Sequence, residues 1–297
     1  MRDIPEEVNI GWLKVKLREQ KEVTEEWLLC GDRVMSLLAN DKKPVLLLID
    51  EFPIMMWSIL KRSHEEAEQL LRWFRTVRIA PGTKTRFVIG GSINLISTLD
   101  LHGLVDTVND LKIIRMKSFD ENTAKRFVER IFASKQMNLK PAVRKTILEC
   151  VGTPIPYLLA VLLTAIFNRQ RGKDRPVSVH DVKIAFEEDL LGGATSAVFR
   201  HYRSRIGDYY PDEEGRAAKS ILGILSRAEQ AVKKGTLYQT YLTICGLTHS
   251  ENSLESFSQL MCKLENDFYI RVRDETCEFY SRVLKLWWRA KYGFQGE

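Results

Sequence analysis

Among the 297 residues, the pair best suited to chemistry is Asp50-Glu51, which ends the apolar run Leu46-Leu47-Leu48-Ile49. Such a run reads as a strand buried on both faces. Acids at its end would stand at the carboxyl edge of a parallel sheet, where open α/β proteins bind ligands. In a nucleotide site the aspartate helps to hold magnesium, and a following glutamate can orient or polarise the attacking water. The plainer alternative is a buried strand that runs into an acidic turn. A second apolar run, Arg86 to Ser92, leads into Gly90-Gly91-Ser92-Ile93-Asn94. A polar side chain at the tip of a neighbouring strand can sense a terminal phosphate, so Ser92 and Asn94 are candidates. Here the alternative is a Gly-Ser turn with Asn94 capping a short helix.

The elements that must position these residues follow from periodicity. Asn9 to Leu17 reads as a strand, Thr24 to Ala39 as a helix capped by Thr24, and Ser63 to Val77 as an amphipathic helix. Lys112 to Met116 reads as a further short strand. After it the pattern is helical: Asp120 to Ser134, Pro141 to Val151, Pro156 to Arg169 and Val179 to Leu191. Strands alternating with helices, then helices alone, predict an α/β domain with a helical appendage. Gly192-Gly193 reads as a hinge. Beyond it, helices over Asp212 to Val232 (broken by Gly235), Leu237 to Ile244 and Ser253 to Leu264 (capped by Ser253) precede two strands, Phe268 to Val272 and Thr276 to Tyr280. Three helices and a hairpin outline a winged helix.

Composition excludes several classes. The hydrophobic fraction of 44% and charged fraction of 28% are those of a globular chain. The longest nearly uncharged apolar stretch, Ile155 to Phe167, has 13 residues, fewer than the roughly 18 that span a bilayer. Five cysteines without a CxxC pair read as free thiols of a reducing, cytoplasmic compartment, and scattered histidines argue against zinc. The net charge of +6 permits nucleic-acid contact without demanding it. Residues 1–115 are balanced, with 17 basic and 17 acidic groups, whereas 116–195 carry 13 against 9.

Taken in order, the motifs resemble the STAND and archaeal-type branch of the AAA+ ATPases. The matching strings are LLLIDE (Leu46 to Glu51), FVIGGS (Phe87 to Ser92), MKSFDENTAKRF (Met116 to Phe127), Gly152-Thr153-Pro154 and the aromatic close FYSRVLKLWWRAKYG (Phe279 to Gly293). The resemblance implies ATP and Mg2+ as ligands, with Asp50 on the metal, Glu51 as catalytic base and Ser92 as phosphate sensor. It also implies that Gly152 and Pro154 face the nucleotide from a lid. The implied organisation is a P-loop-type α/β parallel-sheet core over 1–116, an all-α lid over 117–193, and a linker helix with a winged-helix domain over 194–297.

Two departures qualify that picture. No GxxxxGK[ST] occurs in the sequence, so the loop whose amides and lysine cradle phosphates is missing. In the family's order it precedes a strand such as GWLKVKL (Gly11 to Leu17), so the expectation is an incomplete core lacking its first strand and phosphate loop. The other explanation is a relative that has lost nucleotide binding. Secondly, Asn109 and Asp110 stand where members often carry an arginine finger; Arg72, Arg75, Arg78 and Arg115 are substitutes in principle, and otherwise form a solvated face.

The resulting expectation is an ATP-dependent switch, with a non-enzymatic DNA-binding or protein-interaction scaffold as the alternative. The expected partners are DNA or protein at the winged helix, together with self-association, and no membrane. The reading helix offers only Lys263 as a cation and the wing Arg271 and Arg273, which is a weak electrostatic footprint for DNA. A denser basic patch, Arg200, Arg203 and Arg205, lies in the linker helix, and Trp287-Trp288 reads as core.

Overall fold

The structure is a computed structural model that describes residues 7–10, 13–16, 26–41, 43–91, 93–192, 196–210 and 212–293. The chain divides into two compact units, Met1–Leu111 and Lys112–Glu297.

In the first unit, β1 (Glu7–Ile10) and β2 (Leu13–Lys16) pair antiparallel as a hairpin. Where a single strand was expected over Asn9 to Leu17, the described residues form two paired strands. Helix α1 (Glu26–Ala39) follows, and the expected cap Thr24 lies outside the described residues. Trp73 holds α1 in place: its ring stands edge-on to Trp27, its Nε1 donates to Asp32 at 2.8 Å, and Gly31 leaves room for it. The motif strand is β3 (Val45–Ile49), which pairs in parallel with β4 (Thr85–Ile89), Leu48 opposite Val88. Between them run α2 (Phe52–Leu60), for which the apolar sequence carries no helical period, and α3 (His64–Ile79), capped by Ser63. Next come α4 (Leu95–Asp100) and a 3-10 turn at Val105–Val108.

These helices cover one face of the parallel pair. Ile49, Phe87 and Ile89 pack onto a core of Phe52, Met56, Leu71, Phe74 and Leu99. On the other face Leu46, Leu48 and Val88 are 59%, 72% and 52% exposed. The expectation of strands buried on both faces is corrected accordingly: among the described residues, cover comes from one side only.

The second unit opens with Lys112–Lys117, extended and exposed, without a ladder partner among the described residues. The strand expected at Lys112 to Met116 is not formed, because a strand needs a neighbour for its amides. Helices α5 (Glu121–Ser134, capped by Asp120), α6 (Pro141–Val151), α7 (Pro156–Gln170) and α8 (Val179–Ile184) then form a bundle. The helix expected to continue to Leu191 widens into a π-helix over Ala185–Gly192, whose Asp189 and Glu188 both accept from Arg169.

After α9 (Ser196–Tyr209) come α10 (Asp212–Arg227), β5 (Val232–Lys233), α11 (Lys234–Cys245), α12 (Glu251–Asn266), β6 (Ile270–Arg273), β7 (Thr276–Phe279) and α13 (Arg282–Tyr292). The strands form an antiparallel sheet in the order β5-β7-β6. Gly235 lies in the first turn of α11 rather than ending α10, and α10 stops at Arg227. The cap of α12 is Ser250, with Ser253 as its partner in a capping box. One continuous core runs from Ala124 in α5 to Trp288 in α13. Trp287 and Trp288 are buried within it, as read from the sequence.

Candidate functional site

The parallel register brings the tips of β3 and β4 together. Gly90 N donates to the Ile49 carbonyl at 2.9 Å, and Phe52 N donates to the Gly90 carbonyl at 3.1 Å. Asp50 and Glu51 therefore leave β3 beside Gly90-Gly91. Asp50 Oδ1 accepts from the Glu51 amide at 2.9 Å and lies 3.7 Å from where a Cβ on Gly90 would sit. Glu51 turns the chain from strand to helix with φ 53° and ψ 27°. That left-handed conformation is uncommon for a residue with a Cβ. The Glu51 carboxylate does not cap α2; its Oε2 stands 3.5 Å from the Cβ position of Gly91. Gly91 itself is demanded by packing, since a Cβ there would come 2.4 Å from Pro53 Cδ.

Asn94 caps α4, its Oδ1 accepting from Ser97 N at 3.2 Å. The capping alternative is thus realised, and it occupies the oxygen of that side chain. Ser92 lies outside the described residues.

Magnesium, implied by the acids at the strand tip, can be tested against the donors present. Among the described residues no hydrogen bond goes to Asp50 Oδ2, and no group of three or more His, Cys, Asp or Glu converges. One carboxylate with a second beside it suits an ion that keeps its waters and takes phosphate oxygens as further ligands. Asp50 would hold it. The phosphate-cradling loop that would complete such a site does not occur in the sequence.

Gly152 and Pro154 belong to the second unit. Gly152 follows α6 with φ 69° and ψ −95°. Thr153 Oγ1 donates to the Tyr280 carbonyl at 2.7 Å, and the half-buried Pro154 accepts at its carbonyl from Phe119 N at 3.0 Å. Pro156, not Pro154, takes the helix-starting position of α7. The sequence showed no link between this tripeptide and residues near 280, because nothing in a linear pattern marks a contact across about 130 positions.

The candidate finger arginines are engaged. Arg78 makes a two-pronged ion pair with Asp110 at 2.8 and 3.0 Å, and its side chain is only 4% exposed. Arg72 pairs with Glu68, and Arg75 donates to the Asp106 carbonyl. For Arg78 the solvated face is corrected to a buried pair. Arg115 is exposed.

The cations near the C-terminus are also spent internally. Lys263 binds Glu214 at 2.7 Å, while Arg271 and Arg273 face Glu278 at 3.7 and 3.6 Å. The basic patch expected on α9 is not a patch. Arg205 points inward at 8% exposure, and Arg203 lies 3.6 Å over the Tyr292 ring, which leaves Arg200 exposed.

A Walker-type ATPase, PABY2304 of Pyrococcus abyssi, is similar in structure, with a TM-score of 0.57 and 15% identity over 82% of this chain. This chain shares the fold of that protein. It covers 63% of that protein's length. No family model and no curated protein matches the sequence. The likeness fits the mostly helical make-up with a small parallel sheet. Among the described residues no helix is long and apolar enough to cross a membrane.

Proposed function

We propose that the chain acts in an ATP-binding and ATP-hydrolysing switch of the STAND or archaeal AAA+ type. The observation that carries this reading is the conformation of Glu51. A charged, non-glycine residue is held at φ 53° between a parallel strand and a helix, beside the glycine pair that ends the neighbouring strand. Backbone strain of this kind costs on the order of 1 kcal/mol and persists where a side chain must be aimed. On this reading Asp50 holds magnesium, Glu51 orients the attacking water, and Ser92 with the amide of Asn94 reads the terminal phosphate. Gly152 and Pro154 close on the nucleotide from the helical lid formed by α5–α8. The helix, strand, helix, helix and hairpin that follow α9 form a winged helix.

The electrostatics of that last module favour a protein contact over DNA. Its reading helix α12 has a single cation besides acids, and Glu214 neutralises it. DNA affinity rests on unpaired cations facing phosphates. A band shift of duplex DNA by the protein at low salt would reverse this assignment.

The deciding experiment places an in-frame GxxxxGK[ST] strand-loop-helix segment ahead of the chain and measures Mg-ATP binding and turnover. Extended protein should hydrolyse ATP. Glu51→Gln should keep binding and lose about 10²–10⁴-fold in turnover, as expected for removal of a general base. Asp50→Ala should weaken magnesium-dependent binding. An extended protein that stays inert, and that Asp50→Ala leaves unchanged, would show that the nucleotide reading is wrong.

A further inference from the structure

Three stretches distant in sequence meet at the Gly152–Pro154 tripeptide. Thr153 Oγ1 donates to the Tyr280 carbonyl at 2.7 Å, and Phe119 N donates to the Pro154 carbonyl at 3.0 Å. Tyr280 returns to the first stretch: its hydroxyl donates to Ser118 Oγ at 3.3 Å and accepts from Ser118 N at 3.5 Å. Arg282 Nη1 donates to the carbonyls of Glu149 and of Cys150, the latter at 3.2 Å. These are carbonyls of the last turn of α6, which no intrahelical amide reaches. A cation there also meets the negative end of the helix dipole. Beneath this knot the apolar core runs without interruption from Ala124 and Val128 in α5 to Val283, Leu284 and Trp287 in α13.

Bodies that swing against each other meet through small, polar interfaces. This junction is the reverse, with a shared core and specific bonds on top of it. We infer that helices α5–α8 and the C-terminal helix-strand module are one rigid body, latched by Thr153–Tyr280 and by Arg282 on the end of α6. Leu190, just before Gly192, is buried in that shared core, while Gly193, the second residue of the expected hinge, lies outside the described residues. This inference does not depend on nucleotide binding. Were a ligand to press on the tripeptide, Tyr280 and Arg282 would feel it directly, with no intervening domain movement.

The test uses the full chain with Cys30, Cys245 and Cys262 replaced by serine and two pairs of spin labels. One pair, at Lys145 in α6 and Gln259 in α12, lies within the latched body. The other, at Arg130 in α5 and Lys145, lies within the α5–α8 bundle alone and gives the width of a rigid reference. A first pair as narrow as this reference is the expected result. A first pair clearly broader than the reference overturns the inference. Amide exchange gives a second readout. Arg282→Ala should raise exchange in the last turn of α6 and in the first turn of α13 together, by about tenfold to a hundredfold, the loss expected for a charge-assisted bond. A rise confined to α13 overturns the latch. Should that variant fail to fold, Thr153→Val, which keeps the shape and removes one donor, should raise exchange at Phe119 in an otherwise native protein; no rise counts against the latch.

Discussion

The Cβ of Arg282 stands 2.8 Å from the place a Cβ on Gly152 would take. Two requirements therefore fall on one residue: a backbone at φ 69° and an empty position beside the arginine stem. Gly152→Ala should cost roughly 2–4 kcal/mol, combining backbone strain with overpacking. Gly235→Ala is the control. Its Cβ would meet nothing within 4 Å and it sits in the first turn of α11, so stability should hold or rise by up to about 1 kcal/mol. Urea midpoints for both variants decide this, and equal midpoints would remove the steric argument.

The same logic separates the glycines at the tip of β4. A Cβ on Gly91 would overlap Pro53 Cδ at 2.4 Å, whereas one on Gly90 would stand 3.7 Å from Asp50 Oδ1. Gly91→Ala should therefore displace Pro53, the first turn of α2 and with it Glu51, at a cost of about 1–3 kcal/mol. Gly90→Ala should leave the thermal midpoint nearly unchanged. A reversed order would mean that α2 shifts freely, and that Glu51 is not held by packing.

Much of this was legible in the sequence, for identifiable reasons. Asp50-Glu51 announces itself because a fully apolar strand ending in two acids is a local pattern, and the helices from Asp120 to Gln170 carry capping residues and prolines where helices start. Three kinds of feature were hidden. Whether Leu46, Leu48 and Val88 are covered depends on neighbours rather than on the strand's own residues. Lys112 to Met116 has strand composition but no ladder partner, and pairing is a tertiary property. Arg78 and Arg205 look like surface cations in a string, yet their helical faces turn inward, where Asp110 and the aromatic core wait.

The Arg78–Asp110 pair should make stability depend on acid. The Arg78 guanidinium, hydrogen-bonded to Asp110, holds that carboxyl below the ordinary carboxylate range against the opposing effect of burial. A depressed pKa contributes stability that is complete above the unfolded value of about 3.9 and is lost as pH falls through the folded value. The stability advantage of wild type over Asp110→Asn should thus be constant from about pH 6 upward and shrink below about pH 4. Arg78→Ala, which leaves Asp110 without its partner, should cost roughly 3 kcal/mol at neutral pH. A pH-independent difference between wild type and Asp110→Asn would show that the pair is not formed in solution.

Arg205 poses the opposite case. It is 8% exposed, it has no ion pair among the described residues, and its Nε has no acceptor. A buried guanidinium without a carboxylate pays desolvation for little return. Arg205→Met keeps the stem among Tyr202 and Tyr269 and removes the charge. It should be neutral or stabilising by up to about 2 kcal/mol. The charge of Arg205 also lowers the Tyr269 hydroxyl, which burial otherwise pushes far above its ordinary value. A loss of more than about 2 kcal/mol would indicate that the other guanidinium nitrogens hold bonds worth that much.

The five cysteines give a reading of the latch that needs no label. Cys30 and Cys262 are exposed, Cys245 is half-buried, and Cys150 and Cys277 are buried. Burial pushes the Cys277 thiol up to about 11, so only about one molecule in a thousand would carry the reactive thiolate at pH 8. Alkylation followed by mass spectrometry should modify Cys262 and Cys30 first and Cys245 next, with Cys150 and Cys277 modified only on unfolding. Cys150 lies in the last turn of α6, where its own carbonyl receives Arg282. In Arg282→Ala that turn loses the donor that closes it, whereas β7, which carries Cys277, keeps its ladder to β6. Cys150 should then react ahead of Cys277. If the two thiols remain equally protected in that variant, Arg282 is packing against the bundle rather than fastening it.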